Sequence, residues 1–169
     1  MSRLTDRLAV AAFCLSIGTA AFSIFQWWNT EKQNRITAAI ELSKNFIKDT
    51  DPETVEAVWA AAKSPAKISV NQLTLFAKFG DQLNYIALLA NKGRIDRDYL
   101  HPSIDCSVIV LAKIAPVVFE KNPILLQFSR AAGPGGSNNL QEYARKADCG
   151  SLSQTLDDAL SGKTPPQSN

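Results

Sequence analysis

The sequence predicts an all-α protein: one N-terminal transmembrane helix followed by a small helical bundle. Three observations predict it. Residues 8–25 (LAVAAFCLSIGTAAFSIF) run without a charge or a proline. The rest of the chain repeats its apolar residues at helical spacing, with capping residues and prolines at the joints. No stretch alternates apolar and polar over a strand's length, and no Asn-Gly or Asp-Gly turn joins two apolar runs. The nearest strand candidate, 107–111 (SVIVL), lies inside a longer helical pattern.

After a short polar tail, 1–7, the anchor is expected over 8–28. Its uncharged core covers about 27 Å as a helix, close to the thickness of a bilayer's hydrocarbon layer. Trp27 and Trp28 close it with rings suited to the headgroup layer. A cleaved signal peptide with a small-residue site at Gly18-Thr19-Ala20 is the competing reading, but the apolar run continues through Phe22, Ile24 and Phe25. Ala12, Ser16 and Ala20 recur every four residues, a small-residue stripe on which two copies can pair. Arg3 and Arg7 before the span oppose Lys32, Arg35, Lys44 and Lys48 after it, so charge leaves the side of the C-terminal domain open.

A membrane-proximal helix over 29–49 continues the anchor, with Ile36, Ile40, Ser43 and Ile47 as a narrow seam of the coiled-coil kind. The bundle is expected over 50–161. Asp51 and Pro52 open a helix to Lys63, with Val55, Val58, Trp59 and Ala62 on one side. Ser69 caps a long periodic helix, Val70 to Asn91, ended by Gly93. Asp96 is expected to cap a fourth helix through Arg97 and Tyr99, with its proper start near Pro102, that runs through Phe119 and that Pro116 should kink or split. Short helices are expected over 124–130, 137–148 and 152–160, with a loop at Gly133-Pro134-Gly135-Gly136 and a disordered tail over 162–169.

The composition excludes several classes. The chain's 169 residues allow one domain of ordinary size. Three Cys are too few for a disulfide scaffold, and a net charge of +2 without a basic stripe implies no nucleic-acid partner. The one His, His101, excludes multi-His metal sites, and no cofactor is implied. The Gly-rich loop lacks the Lys-Ser/Thr of a phosphate loop. Asp96/Asp98 and Asp157/Asp158 read as solvated pairs. With Cys14 in the anchor, Cys106 and Cys149 can form a disulfide if the domain faces an oxidising compartment.

Residues 81–112 (DQLNYIALLANKGRIDRDYLHPSIDCSVIVLA) contain Leu83 and Asn84 in an apolar helix, then Gly93, Ile95 and Asp96 at the turn that follows. This pattern resembles the bacterial and phage domain-of-unknown-function family 4760. The resemblance implies a membrane-anchored helical protein and carries no assigned activity. Gly93 and Asp96 are expected as a turn glycine and a cap, and Asn84 as a bond to a backbone or a neighbouring helix.

The resulting expectation is a single-pass protein of the cell (inner) membrane, in contact with the bilayer through 8–28, whose helical domain binds a protein partner or itself. No catalysis is expected. A phage or mobile-element effector on the membrane, such as a lysis regulator or exclusion factor, is the first alternative. An enzyme pairing His101 with a Cys is the second.

Overall fold

The computed structural model describes residues 2–123 and 136–149, with side chains at Phe13, 15–123 and 138–149. The expected helices over 124–130 and 152–160, the loop at 133–135 and the tail over 162–169 lie outside the described residues, as do the side chains of Ala12 and Cys14. Every regular element among the described residues is helical: α1 (Ser2–Asp49), α2 (Pro52–Lys63), α3 (Val70–Asn91), α4 (Pro102–Lys121) and α5 (Gly136–Ala144). Single 3₁₀ turns, Pro65–Lys67 and Arg97–Tyr99, join α2 to α3 and α3 to α4.

Local chemistry sets the joints. The Asp51 carboxylate accepts the Thr54 N–H at 2.7 Å, and Pro52, which has no N–H to satisfy, opens α2. Ser69 and Gln72 cap α3 reciprocally: each side chain accepts the other's backbone N–H. At the far end of α3, Gly93 takes φ 62°. That conformation lets Gly93 N–H reach Ala90 O and Arg94 N–H reach Leu89 O, so the last carbonyls are satisfied. Asp96 caps the turn Arg97–Tyr99 rather than a helix. The cap of α4 is His101, whose Nδ1 accepts the Ser103 N–H. Asn122 ends α4 and donates to Pro65 O at 2.8 Å, tying this end to the α2–α3 joint.

The core gathers on α3 and α4. Phe76, Phe79, Leu83 and Ile86 of α3 meet Ile104, Val108, Leu111, Ile114 and Val118 of α4, and Leu140 and Tyr143 of α5 close the far side. Pro116 neither ends nor splits α4, which runs unbroken to Lys121. Its ring stands on the exposed side, while Ile114, Ala115, Val118 and Phe119 are buried on either side of it and hold the helix in place.

Two faces differ from the sequence expectation. In α2 the buried residues are Thr54, Ala57, Val58 and Ala61, leaving Val55 and Trp59 exposed. Small Ala57 and Ala61 let α2 approach the bundle closely, so the larger side chains stay at its edge. In α1 the expected seam is divided. Ala39, Ser43 and Phe46 face the domain, whereas Ile40 and Ile47 remain exposed. Ser43 Oγ accepts the His101 N–H at 3.0 Å, and Phe46 packs on Phe79 with ring centroids 5.5 Å apart. Ser43 is thereby committed to its own domain.

Candidate functional site

Three regions carry features beyond a packed core. The first is α1 itself. The helix is continuous over 48 residues, about 72 Å at 1.5 Å per residue. Every side chain described from Phe13 to Thr30 is exposed, from Leu15 at 72% to Trp28 at 58%. Polar side chains in this stretch satisfy themselves within the helix: Thr19 and Ser23 hydroxyls donate to the carbonyls of Leu15 and Thr19, four residues back. From Glu31 onward the helix meets protein. Arg35 sits at the neck, where its guanidinium donates to Gly93 O and its carbonyl accepts the Asp96 N–H.

The residues singled out in the α3–α4 pattern lie around this neck or beneath it. Leu83 is buried in the core, and Ile95 is buried under the turn. Asn84 Oδ1 accepts from Asn139 of α5 at 3.4 Å, while Asn91 donates to the Asn139 carbonyl at 2.9 Å. Gly93 and Asp96 form the turn that receives Arg35. Together these positions hold α1, α3 and α5 in place.

The second region is a polar clamp. Tyr143 donates its hydroxyl proton to Asp105, and Arg97 lies over the Tyr143 ring, 4.2 Å from its centroid, and 3.7 Å from Asp105. Burial, and after it the bond to Asp105, pushes the Tyr143 hydroxyl far above its ordinary range. The phenol stays protonated and keeps donating, so the clamp fastens α5 to α4 and to the turn before it. His101 is outside this clamp. Its Nδ1 lies 2.7 Å from Ser103 Oγ and caps α4. Among the described residues, no group of three His, Cys, Asp or Glu side chains is placed to hold a metal ion.

The third region is an apolar groove of about 370 Å³ between α2 and α4, with Val55, Val58 and Trp59 on one wall, Cys106 and Val110 on the other and Phe79 at its base. Trp59 is 50% exposed there. Cys106 is joined to Cys149 in a disulfide, with Cα atoms 5.0 Å apart, which ties the chain beyond α5 to the groove's wall. With both sulfurs in that bond, neither Cys is a thiol beside His101. The groove was not anticipated from the sequence. The available signal was α2's second apolar row: Val55, Trp59 and Ala62 lie beside the row that holds Ala57, Val58 and Ala61, so one row packs inward and leaves the other open.

Among the described residues one helix, α4, is long and apolar enough to cross a membrane, with mean hydropathy 1.7. Its Ile104, Val108, Leu111, Ile114 and Val118 are enclosed by the bundle, so in this fold it serves as a core helix. The chain matches no family model, no curated protein and no solved structure.

Proposed function

We propose that the protein is a single-pass, membrane-anchored helical interaction module of the cell (inner) membrane, with residues 8–28 in the bilayer and the helical domain on the oxidising side. The observation that carries this reading is the change of environment along α1. Its large apolar side chains described from Phe13 to Trp28 are more than half exposed, whereas Ala39, Ser43 and Phe46 are buried in the domain. Exposed apolar area on this scale requires a cover, and a bilayer fits its length and its terminal Trp pair. The Cys106–Cys149 bond favours a domain outside the cytosol, since cytosolic thiols are kept reduced. A binding role suits a domain whose distinctive surface is an apolar groove and whose sole imidazole caps a helix.

Topology mapping tests the proposal. A membrane-impermeant thiol reagent is applied to intact cells carrying Cys14→Ala, with and without prior reduction. The expected result is label on Cys106 and Cys149 in intact cells only after reduction, with protein that stays in the membrane pellet at alkaline pH. Label that appears only once cells are broken open would place the domain in the cytoplasm and overturn the orientation. Release of the protein at alkaline pH would overturn the anchor.

A further inference from the structure

We infer that the turn between α3 and α4 is a seat for anionic lipid: Lys92 and Arg94, with Lys32 of α1, rest on headgroup phosphates of the bilayer that holds the anchor. This deepens the proposed function. It rests on the anchor at 8–28 and not on which side of the membrane the domain occupies.

The direction of the helices sets the geometry. Phe79 of α3 packs on Phe46 of α1, whereas Gly93, further along the chain, receives Arg35, which is earlier in α1. The chain of α3 therefore runs antiparallel to α1 and comes down beside the part of α1 that adjoins the anchor. Two bonds fix it there: the Arg35 guanidinium donates to Gly93 O at 3.3 Å, and Arg35 O accepts the Asp96 N–H at 3.3 Å. From Trp28 to Arg35 is about 10 Å along the helix, and from Trp28 to Glu31, where α1 first meets protein, about 4.5 Å. The headgroup layer adds about 5–7 Å to each side of the hydrocarbon. The underside of the domain thus enters that layer, and a long cationic side chain spans the few ångström that remain.

The cations at this level are free to use it. Lys32, Lys92 and Arg94 are exposed. Arg97, by contrast, is held in the clamp with Asp105 and Tyr143. Of the nearby carboxylates, Glu31 is half-buried and Asp96 accepts the Asp98 N–H at 3.2 Å. Asp98 is exposed, but it lies on the chain that climbs from Asp96, bonded at Arg35, to His101, bonded at Ser43 and about 12 Å higher along α1. A guanidinium and two ammonium groups are the donors that phosphate oxygens take, and each cation held at an anionic surface favours the seated state about five-fold.

The test uses the full chain, disulfide intact, in nanodiscs of phosphatidylcholine alone or with phosphatidylglycerol added. A water-soluble active ester acylates exposed lysines. Mass spectrometry then gives the rate at Lys92 relative to Lys67, which is exposed beyond the other end of α3, about 33 Å away. In low salt, the anionic discs should slow Lys92 against Lys67 by about five-fold or more, and salt of about 0.5 M should remove the difference. Arg94→Gln should restore most of the rate, whereas Lys121→Gln, at the far end of α4, should not. A Lys92 rate equal in the two discs would overturn the inference. So would slowing that survives the salt or Arg94→Gln. Slowing by inorganic phosphate in neutral discs at matched ionic strength would assign the turn to a soluble anion and overturn it as well. A chain that enters neither disc would overturn the anchor and this inference together, whereas equal rates on disc-bound chain overturn the inference alone.

Discussion

The N-terminal half of α1 and the whole of α4 are both apolar over about the length of a membrane crossing, yet they lie in opposite surroundings. Around α4 the chain has built α2, α3 and α5, and its larger side chains are buried. Around α1 from Phe13 to Trp28 every described side chain is exposed. Hydropathy averaged over a window does not separate the two cases. The distribution of partners does. The α4 helix carries Glu120 and Lys121 exposed to solvent, with Asp105 and Lys113 half-buried, whereas residues 8–25 carry no charge on any face.

The sharpest way to break this comparison is to remove the same kind of side chain from each helix. Leu111→Ala empties a site with no exposed area and should cost about 2–5 kcal/mol. Ile17→Ala should leave the domain's stability unchanged to within about 0.5 kcal/mol. Chemical unfolding in nanodiscs, followed by far-UV circular dichroism, measures both, and equal losses would mean that α1 is packed on protein after all. The next effect comes from the disulfide, which closes a sequence separation of 43 residues. Replacing both Cys106 and Cys149 with Ser should lower stability by about 4 kcal/mol if chain entropy alone acts. Loss of only a few tenths of that would show that the chain leading to Cys149 is held mainly by the Tyr143–Asp105–Arg97 clamp.

The smallest effect is read by pH at the cap of α2. The Thr54 N–H bond holds the Asp51 carboxyl below its ordinary value of 3.8. A lowered folded value means that the charged cap contributes above the unfolded pKa and is lost as pH falls through the folded one. Comparing melting temperatures of the wild type and Asp51→Ala from about pH 5 down to about pH 2 should show their difference shrinking with acid. A difference that is constant across that range would remove the capping role.

What the sequence made legible was local. Asp51, Ser69 and Gly93 mark helix ends because a cap or a positive φ is decided within a few residues, and the structure places helix ends at all three. The choice of which face of a helix turns inward is tertiary. In α2 both apolar rows were visible, and only packing decided that Ala57 and Ala61 go in while Trp59 stays out. The groove escaped the sequence reading for that reason. Ser43 is similar: its spacing fits a seam between copies, but its hydroxyl is taken by a backbone N–H 58 residues away. Pro116 shows the reverse error, a strong local signal overridden by buried neighbours on both sides. A bond between Cys106 and Cys149 was one option the sequence left open, conditional on an oxidising compartment, whereas their position at the rim of a groove could not be read.

The neck at Arg35 has a mechanical consequence. Contacts between α1 and the domain are laid out along the helix axis, from Arg35 on Gly93 and Asp96, through Ser43 on His101, to Phe46 on Phe79. A pull along α1 therefore loads these contacts in parallel, as shear, and none can give way alone. A sideways tilt of α1 meets the Arg35 contacts first and can peel the rest in turn. The joint is thus stiff to tension and compliant to bending, the properties of a tether that must bear load while its head turns.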